Sequence, residues 1–301
     1  MTRPPWRWWF LFLLFPGFAA ASLELPQADG TTLTLDHTAT RIVALAPNIA
    51  ESLFAAGAGD LLLATAEYSD YPAQAAALPR IGDAFRFDLE RILALRPDLV
   101  IGWQSGNPAA ALDGLERLGL RVWRTEIASP DDIATLLEQL GRATGREASA
   151  QRAADEFRQR LARLRRDNEG KPIMEYFYQV AERPLYTVNG SHLISQGLDS
   201  CSARNVFHDL PNLAPQVSVE AVLASDPDVF FAPALTPDTT TLDQWRTWPR
   251  LAAVVNDALL YLPADQISQA TPRLLEAVEQ ACTLLDGIRA AQRGPAIEED
   301  S

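Results

Sequence analysis

The hydrophobic pattern of the first half of the chain alternates between short apolar runs and amphipathic segments. The runs RIVALA (41–46) and LLLATA (61–66) have the length and the residue types of buried strands. Between them, NIAESLFAAGAGD (48–60) carries apolar residues at helical spacing and ends near a glycine. The alternation continues to residue 145, and strands that alternate with helices form a parallel sheet covered by helices. The pattern therefore predicts an α/β unit in this part of the chain.

One phrase of the sequence occurs twice. LERILALRPDLV (89–100) and VEAVLASDPDVF (219–230) both run from an amphipathic segment through Pro-Asp into apolar residues. In each copy a glutamate, Glu90 or Glu220, lies in the first turn of the predicted helix, where the helix dipole favours a negative charge. Proline ends a helix, so the apolar residues after it are predicted to form a strand. The repeat predicts two α/β lobes that are built alike.

A single long helix is predicted between the two lobes. The segment 146–170 contains no proline and no internal glycine. Phe157, Leu161 and Leu164 belong to one apolar stripe at helical spacing, and the remaining positions are largely charged. A helix of about 20 residues is about 30 Å long and forms a rigid connection.

The predicted fold is therefore α/β, with two Rossmann-like lobes joined by one long backbone helix and a ligand cleft between the lobes. Ligands of such folds bind outside the carboxyl ends of the strands and at interfaces between lobes. We assign residues 22–145 to the N-terminal lobe, 146–170 to the linking helix and 171–292 to the C-terminal lobe. The acidic tail at 293–301 is expected to be disordered.

Residues 1–21 have the features of a secretory signal peptide. Two arginines precede an apolar run at 8–18, and three alanines at 19–21 fit a cleavage site. The alternative is a membrane anchor, but the eleven apolar residues are interrupted by Pro16-Gly17 and are fewer than the roughly 20 that a spanning helix needs. The mature protein is therefore expected to be soluble and exported.

Composition and charge narrow the class of partner. Hydrophobic residues make up 48% of the chain and charged residues 22%, as in an ordinary globular protein. The formal net charge of −13 repels a phosphate backbone, so we expect no nucleic-acid partner. The histidines, His37, His192 and His208, lack metal-ligand spacing, so a zinc or manganese receptor is not favoured.

Catalysis has weak support in the sequence. Asp70 and Asp83 fall in predicted loops near the cleft and could form a pair of carboxylates. However, no nucleophile elbow and no phosphate-binding glycine loop accompanies them, and loop carboxylates more often form turns. We therefore expect a binding protein without a cofactor rather than an enzyme.

Two cysteines remain after export, Cys201 and Cys282. The oxidising environment outside the cytoplasm permits a disulfide, and two cysteines allow one intramolecular pairing. The alternative is a pair of buried free thiols. The disulfide is the favoured prediction, and the absence of C-x-x-C spacing argues against a redox-active motif.

Five motifs along the chain resemble those of one family. They are RIVALAPNIAESLFAAGAGD, YSDYP, LERILALRPDLVIGW, PQVSVEAVLASDPDV and ATPRLLEAVEQAC. Over about residues 40–290 the chain is similar to the periplasmic vitamin B12-binding proteins, in the helical-backbone class of ABC-transporter substrate-binding proteins. The resemblance implies a periplasmic monomer that binds cobalamin or a related corrinoid and delivers it to a permease dimer in the inner membrane. It also implies a disulfide between Cys201 and Cys282.

The resemblance assigns roles to individual residues. Glu90 and Glu220 match the surface glutamates, one on each lobe, that dock onto arginines of the permease. A corrinoid is a large, partly apolar macrocycle fringed with amides, so aromatic faces and backbone amides suit it and no metal ligand is required. The implied ligand-binding residues are Pro47, Asn48, Tyr68, Phe85, Trp103, Tyr178 and Asp265.

The sequence also departs from the better-known members of this family. The loop GDAFRFD has no tryptophan before LERI, Ala214 stands where they carry a tryptophan, and ADQISQATPR lacks their aromatic residues and their arginine before SPR. These differences leave open another ligand of the class, a ferric siderophore or haem. Arg86 and Arg183 are the basic residues expected near the cleft for an anionic chelate, and Tyr68 or His192 could be an axial ligand of haem.

Overall fold

The computed structural model describes residues 22–83 and 85–293 of the chain. The predicted signal peptide and the acidic tail beyond residue 293 lie outside the described residues. Within them, two four-stranded parallel sheets form two α/β lobes with a long helix between them. The predicted fold class is confirmed.

The strands form one sheet and one short hairpin in each lobe. In the N-terminal lobe they are β1 (Leu23–Pro26) and β2 (Thr32–Leu35), which form the hairpin, and β3 (Ile42–Ala44), β4 (Leu62–Thr65), β5 (Leu99–Trp103) and β6 (Val122–Thr125). In the C-terminal lobe they are β7 (Met174–Tyr178), the hairpin of β8 (Ala181–Glu182) and β9 (Leu185–Tyr186), and β10 (Ala203–Asn205), β11 (Val229–Ala234) and β12 (Leu259–Pro263).

Helices cover the sheets and connect the lobes. Those of the N-terminal lobe are α1 (Pro47–Ala55), α2 (Ala73–Ala76), α3 (Leu89–Leu95), α4 (Ala109–Arg117) and α5 (Pro130–Thr144). The connecting helix is α6 (Glu147–Asn168). Those of the C-terminal lobe are α7 (Leu193–Asp199), α8 (Val219–Ser225), α9 (Ala252–Val255), α10 (Ala264–Ile267) and α11 (Leu274–Gln292). None of these described helices combines the length and the apolar character needed to cross a bilayer.

The two sheets have the same strand order. It is β4-β3-β5-β6 in the N-terminal lobe and β10-β7-β11-β12 in the C-terminal lobe. Counted along the chain, each lobe places its second strand at one edge, followed by its first, third and fourth strands. The order reverses between the first and third strands, and ligands of open α/β sheets bind in the crevice at that point. Each lobe therefore offers such a crevice at the carboxyl ends of its central strands.

The repeated phrase has the same structure in both lobes. Asp88 caps α3 and Ser218 caps α8, and the side-chain oxygen of each accepts a hydrogen bond from a backbone N–H in the first turn (2.9 and 3.1 Å). Both helices end at a residue in the left-handed conformation, Arg96 (φ 46°) and Asp226 (φ 40°). The two segments thus share their start, their length and their end.

The aspartate of each Pro-Asp pair has the same structural role in both lobes. Asp98 accepts hydrogen bonds from the backbone N–H groups of Thr40 and Arg41 at the start of β3 (2.9 and 3.0 Å). Asp228 accepts one from the backbone N–H of Glu175 in β7 (2.9 Å). In both lobes the residue that leads into the third strand therefore ties it to the first strand beside it.

The helix α6 packs against both lobes through the apolar stripe that the sequence predicted. Its buried apolar residues are Ala150, Ala154, Phe157, Leu161 and Leu164. They belong to one hydrophobic cluster that also contains core residues of both sheets. α5 approaches α6 closely, since a Cβ at Gly141 would lie 2.4 Å from the Cβ of Ala150. The lobes therefore share a continuous core, with α6 as its middle layer.

The predicted disulfide between Cys201 and Cys282 is confirmed. Cys201 follows α7 and Cys282 lies within α11, so the bond joins two helices of the C-terminal lobe. Both residues are buried in the shared core, and they are 81 positions apart in the sequence.

Replacing both cysteines, Cys201→Ala with Cys282→Ala, is expected to lower the free energy of unfolding. A cross-link that closes a loop of 81 residues restricts the unfolded chain by about 4–5 kcal/mol in the chain-entropy account. Urea unfolding of the oxidised protein and of this variant measures the difference. Equal stability would show that the bond does not restrict the unfolded chain in this way.

Candidate functional site

A cleft lies between the lobes at the carboxyl ends of their strands. Its volume is about 620 Å³, and it is open to solvent. Pro47, Tyr68 and Tyr71 line it from the N-terminal lobe, in segments that follow β3 and β4. Leu235 and Asp265 line it from the C-terminal lobe, after β11 and β12. The cleft therefore occupies the place that the strand order predicts for a ligand.

Tyr68 presents its ring to the cleft from the loop after β4. The residue is 78% exposed, and its φ of 65° is in the left-handed region that a tyrosine rarely adopts. Beneath it, the buried Ser69 hydroxyl is hydrogen-bonded to the Thr65 hydroxyl and to the Ala66 carbonyl oxygen (2.8 Å each). Such a backbone conformation persists where its surroundings hold it. The loop therefore fixes the position of the Tyr68 ring.

Arg80 also stabilises the loop that contains Tyr68. Its guanidinium donates hydrogen bonds to the carbonyl oxygens of Ala66 (3.3 Å) and Ser69 (3.1 Å). It also forms an ion pair with Asp70 (3.0 Å). Asp70, which the sequence offered as one member of a carboxylate pair, therefore helps to shape the loop.

Three apolar side chains are exposed on the walls of the cleft. They are Tyr68, Tyr71 (49% exposed) and Leu235 (77% exposed), so both lobes contribute. Large apolar groups that stay exposed in a concave surface are characteristic of ligand sites. A large ligand in the cleft could therefore make apolar contacts with both lobes.

The floor of the cleft carries charge. Glu51 of α1, Asp265 of α10 and Arg273 at the start of α11 meet there, and Tyr71 lies beside Arg273. Burial lowers the pKa of Arg273. Hydrogen bonds and charge interactions with Glu51 and Asp265 raise the pKa by more than burial lowers it, so the net pKa lies above the ordinary value. The guanidinium is therefore permanently charged, and both carboxylates are within its reach.

The structure brings together three of the predicted ligand-binding residues, Pro47, Tyr68 and Asp265, in the cleft wall. Asn48 is buried in the first turn of α1. Phe85 is exposed but is not among the residues that line the described cleft. Pro47, Tyr68 and Asp265 therefore share the cleft, whereas Asn48 and Phe85 do not line it.

Trp103 and Tyr178 end the third strand of one sheet and the first strand of the other, but their side chains make contacts inside the protein. The Trp103 indole N–H donates to Glu126 (3.0 Å), and its ring packs on Gly106, where a Cβ would lie 1.8 Å from the ring. Tyr178 is fully buried, and burial raises the pKa of its hydroxyl although the nearby Ser268 partly offsets this. Neither ring lines the described cleft.

Sequence reasoning missed several residues of the cleft, among them Glu51, Tyr71, Leu235 and Arg273. Glu51 lies on the apolar face of α1, between Ala50 and Leu53, which are buried. A charged residue on the buried face of a helix needs a partner, and this was the available signal. Its partner could not be identified, because Arg273 is 222 positions away in the sequence.

The remaining candidate residues form a turn or lie outside the described cleft. Asp83 accepts hydrogen bonds from the backbone N–H groups of Phe85 (2.8 Å) and Arg86 (2.7 Å), as a turn-forming residue does. Arg86 and Arg183 are exposed and do not line the cleft. Within residues 22–83 and 85–293, no group of three or more His, Cys, Asp or Glu side chains is arranged to hold a metal ion.

His192, a candidate axial ligand for haem, caps α7. Its Nδ1 atom accepts a hydrogen bond from the backbone N–H of Ile194 (3.2 Å). Burial lowers the pKa of the imidazole. The ring is therefore neutral in the folded protein, and Nδ1 is used in the helix cap.

Comparison with known proteins agrees with this geometry. A family model described as periplasmic binding protein matches residues 42–266. The chain belongs to the periplasmic binding protein family. Its relatives in this family include the vitamin B12-binding protein of Vibrio cholerae, which is 40% identical over 250 residues, or 82% of this chain and 89% of the relative. The vitamin B12-binding protein of Pectobacterium carotovorum is 36% identical over 250 residues, with the same coverage of both chains.

Solved structures of periplasmic binding proteins have the same fold. The periplasmic vitamin B12 binding protein BtuF of Vibrio cholerae superposes with a TM-score of 0.77 at 40% identity, covering 83% of this chain and 98% of that one. The periplasmic heme-binding protein RhuT from Roseiflexus superposes with a TM-score of 0.73 at 21% identity, covering 83% and 98%. The second likeness concerns the fold alone.

The half-buried capping residue His192 is expected to make folding pH-dependent. Its pKa is lowered in the folded state, so the unfolded chain takes up the proton first as the pH falls below about 6.5. Stability is then lost by up to about 1.4 kcal/mol for each pH unit. His192→Asn keeps a capping side chain that does not titrate. Urea unfolding between pH 7.5 and about 5 should show a smaller loss of unfolding free energy for this variant than for the wild type. Equal losses would show that His192 is not the source of the pH dependence.

Proposed function

We propose that this periplasmic binding protein binds cobalamin or a related corrinoid in the interlobe cleft and delivers it to the permease of an ABC importer. The supporting observation is the open cleft of about 620 Å³ with exposed aromatic and aliphatic side chains on both walls. The 40% identity to a vitamin B12-binding protein, over 89% of that relative, supports the same ligand class. The protein would act without catalysis, in the periplasm and as a monomer.

The chemistry of the cleft suits an amide-fringed macrocycle. Tyr68, Tyr71 and Leu235 can cover the apolar faces of the ring system. Ser268 and Gln269 line the C-terminal side and offer hydroxyl and amide groups to the carboxamide side chains of a corrinoid. No protein ligand to cobalt is required in this mode of binding.

Charge at the cleft disfavours an anionic ligand such as a ferric siderophore or haem. Its charged lining residues are Glu51, Asp70, Asp265 and Arg273, and Arg273 is already bound by two of these carboxylates. An anionic chelate would meet excess negative charge without an available cation in the described wall. A neutral amide-bearing ligand avoids this cost, so the corrinoid is the better candidate.

Glu90 and Glu220 are proposed to dock onto arginines of the two permease subunits. Both are exposed and lie in the first turns of α3 and α8, whose matching caps give them the same local structure. The backbone N–H of Glu220 and the Ser218 hydroxyl lower the pKa of Glu220, which keeps it ionised. Helix starts follow the carboxyl ends of strands in α/β lobes, so both carboxylates belong to the side on which the cleft opens. The planar guanidinium fork of arginine is a suitable partner for them.

The ligand proposal is tested with cyanocobalamin. Purified protein is incubated with it and desalted, and retained corrinoid absorption is expected. Calorimetry then compares Tyr68→Ala with Ile173→Ala, an exposed apolar residue that precedes β7 at the opposite end of its strand from the cleft. Loss of an aromatic face costs about 1–3 kcal/mol, so Tyr68→Ala should bind about 5–150-fold more weakly.

The Ile173→Ala control should keep the wild-type affinity. Failure of the wild-type protein to retain cyanocobalamin would refute the ligand class. Retention of haem instead would favour the alternative. A folded Tyr68→Ala protein with unchanged affinity would remove Tyr68 from the site.

The docking proposal is tested with the double variant Glu90→Ala, Glu220→Ala in the assembled transporter. Ligand affinity should be unchanged and transport should fall, because loss of rim charges weakens association. Glu147→Ala is the matched control: this exposed glutamate also lies in a first helical turn, but α6 begins directly after the end of α5, away from the cleft side. Wild-type transport by the double variant would contradict the docking role.

A further inference from the structure

One ion pair crosses from lobe to lobe at the floor of the cleft. The Nε and Nη2 atoms of Arg273 donate to the two carboxylate oxygens of Glu51, at 3.0 and 2.8 Å. The Arg273 side chain is 12% exposed and that of Glu51 is 7% exposed. Glu51 belongs to α1 of the N-terminal lobe and Arg273 to the start of α11 in the C-terminal lobe. The two lobes are therefore joined by a bidentate charge pair that is largely shielded from water.

Arg273 makes two more contacts with residues that line the cleft. Its Nη1 atom donates to the Asp265 carboxylate (2.8 Å), and Nη2 is also 3.2 Å from the Asp265 carbonyl oxygen. The guanidinium carbon lies 3.8 Å from the centre of the Tyr71 ring, within the range of a cation–π interaction. A single guanidinium thus fixes one carboxylate and one aromatic ring from opposite lobes.

The ion pair also separates two cavities. Glu51, Tyr71 and Arg273 line the ligand cleft on one side and a second cavity of about 310 Å³ on the other. Pro272 and Glu276 contribute to that rear cavity. Because the Glu51–Arg273 ion pair lies between the two cavities, a substitution of either residue changes the floor of the ligand cleft directly.

We infer that Glu51 and Arg273 are the positioning residues of the ligand site, setting the separation of the lobes and holding Tyr71 and Asp265 at the cleft floor. Neither residue needs to touch the ligand to do this. Replacing Arg273 leaves the largely buried Glu51 carboxylate without its cation, and replacing Glu51 leaves Arg273 paired with Asp265 alone. Either change favours opening of the cleft floor to water. The effect on ligand affinity rests on the proposed corrinoid function, whereas the lobe separation can be measured without any ligand.

The test is a double-mutant cycle with Glu51→Gln, Arg273→Gln and the two combined. Arg273→Lys is a further variant that keeps the charge but cannot reproduce the bidentate fork. The control pair is Arg124 and Glu116, a bidentate Arg–Glu pair within the N-terminal lobe (3.1 and 2.8 Å). Arg124→Gln and Glu116→Gln remove an ion pair of the same geometry that lines neither cavity.

Lobe separation is measured in the ligand-free protein by pulsed electron resonance between spin labels. The labels are attached to Gln74→Cys and Asp238→Cys, two exposed positions on opposite lobes. The native cysteines are joined in a disulfide and do not react with the label. Cyanocobalamin affinity is measured on the same variants without labels.

Each single variant at Glu51 or Arg273 is expected to shift the label distance by more than about 2 Å and to weaken cyanocobalamin binding about tenfold or more. The combined variant should lose much less than the sum of the single losses, because the two residues act as one pair. The Arg124 and Glu116 variants should change neither quantity, because both residues belong to the N-terminal lobe and lie outside the two cavities.

Unchanged label distances in folded Glu51→Gln and Arg273→Lys proteins would overturn the inference, as would additive losses of affinity in the cycle. If the wild-type protein fails to bind cyanocobalamin, the proposed ligand is wrong, and the label distances alone decide the positioning role.

Discussion

The apolar stripe of α6 is buried against core residues of both lobes, so the two sheets share one continuous hydrophobic cluster. Burial of each large aliphatic or aromatic side chain contributes about 1.5–3 kcal/mol, and a hinge at α6 would expose several of them at once. The lobes are therefore held at the back by packing and at the cleft floor by the Glu51–Arg273 ion pair. The width of the cleft follows from these two constraints.

Duplication of one α/β unit explains the rest of the architecture. The same strand order in each lobe puts a crevice at the carboxyl ends of its central strands, and α6 sets the two crevices face to face. The repeated helix starts also give each lobe one exposed glutamate, Glu90 or Glu220, with the same cap beneath it. A cleft and a pair of exposed carboxylates, which we propose dock onto the permease, thus come from one repeated α/β unit.

The local pattern was sufficient to predict the two lobes, the long helix and its buried stripe. It was insufficient at the cleft floor, because Glu51 and Arg273 meet only through the arrangement of both lobes, 222 positions apart. Strand ends posed a different difficulty. Trp103 and Tyr178 end central strands, but side chains alternate between faces, so position along a strand does not decide whether a ring lines a cleft. Tyr68 lines the cleft because it belongs to a loop whose hydrogen bonds fix its backbone and leave its ring exposed.

The cleft is expected to be formed before the ligand arrives, because packing along α6 and the floor ion pair hold the lobes in place. Small-angle X-ray scattering of the purified protein, with and without saturating cyanocobalamin, measures whether the lobes move. A preformed site moves by about 1 Å or less on binding, so the two radii of gyration should agree to within about that amount. A contraction of several ångströms on binding would mean that the lobes move as separate bodies, and would contradict the account.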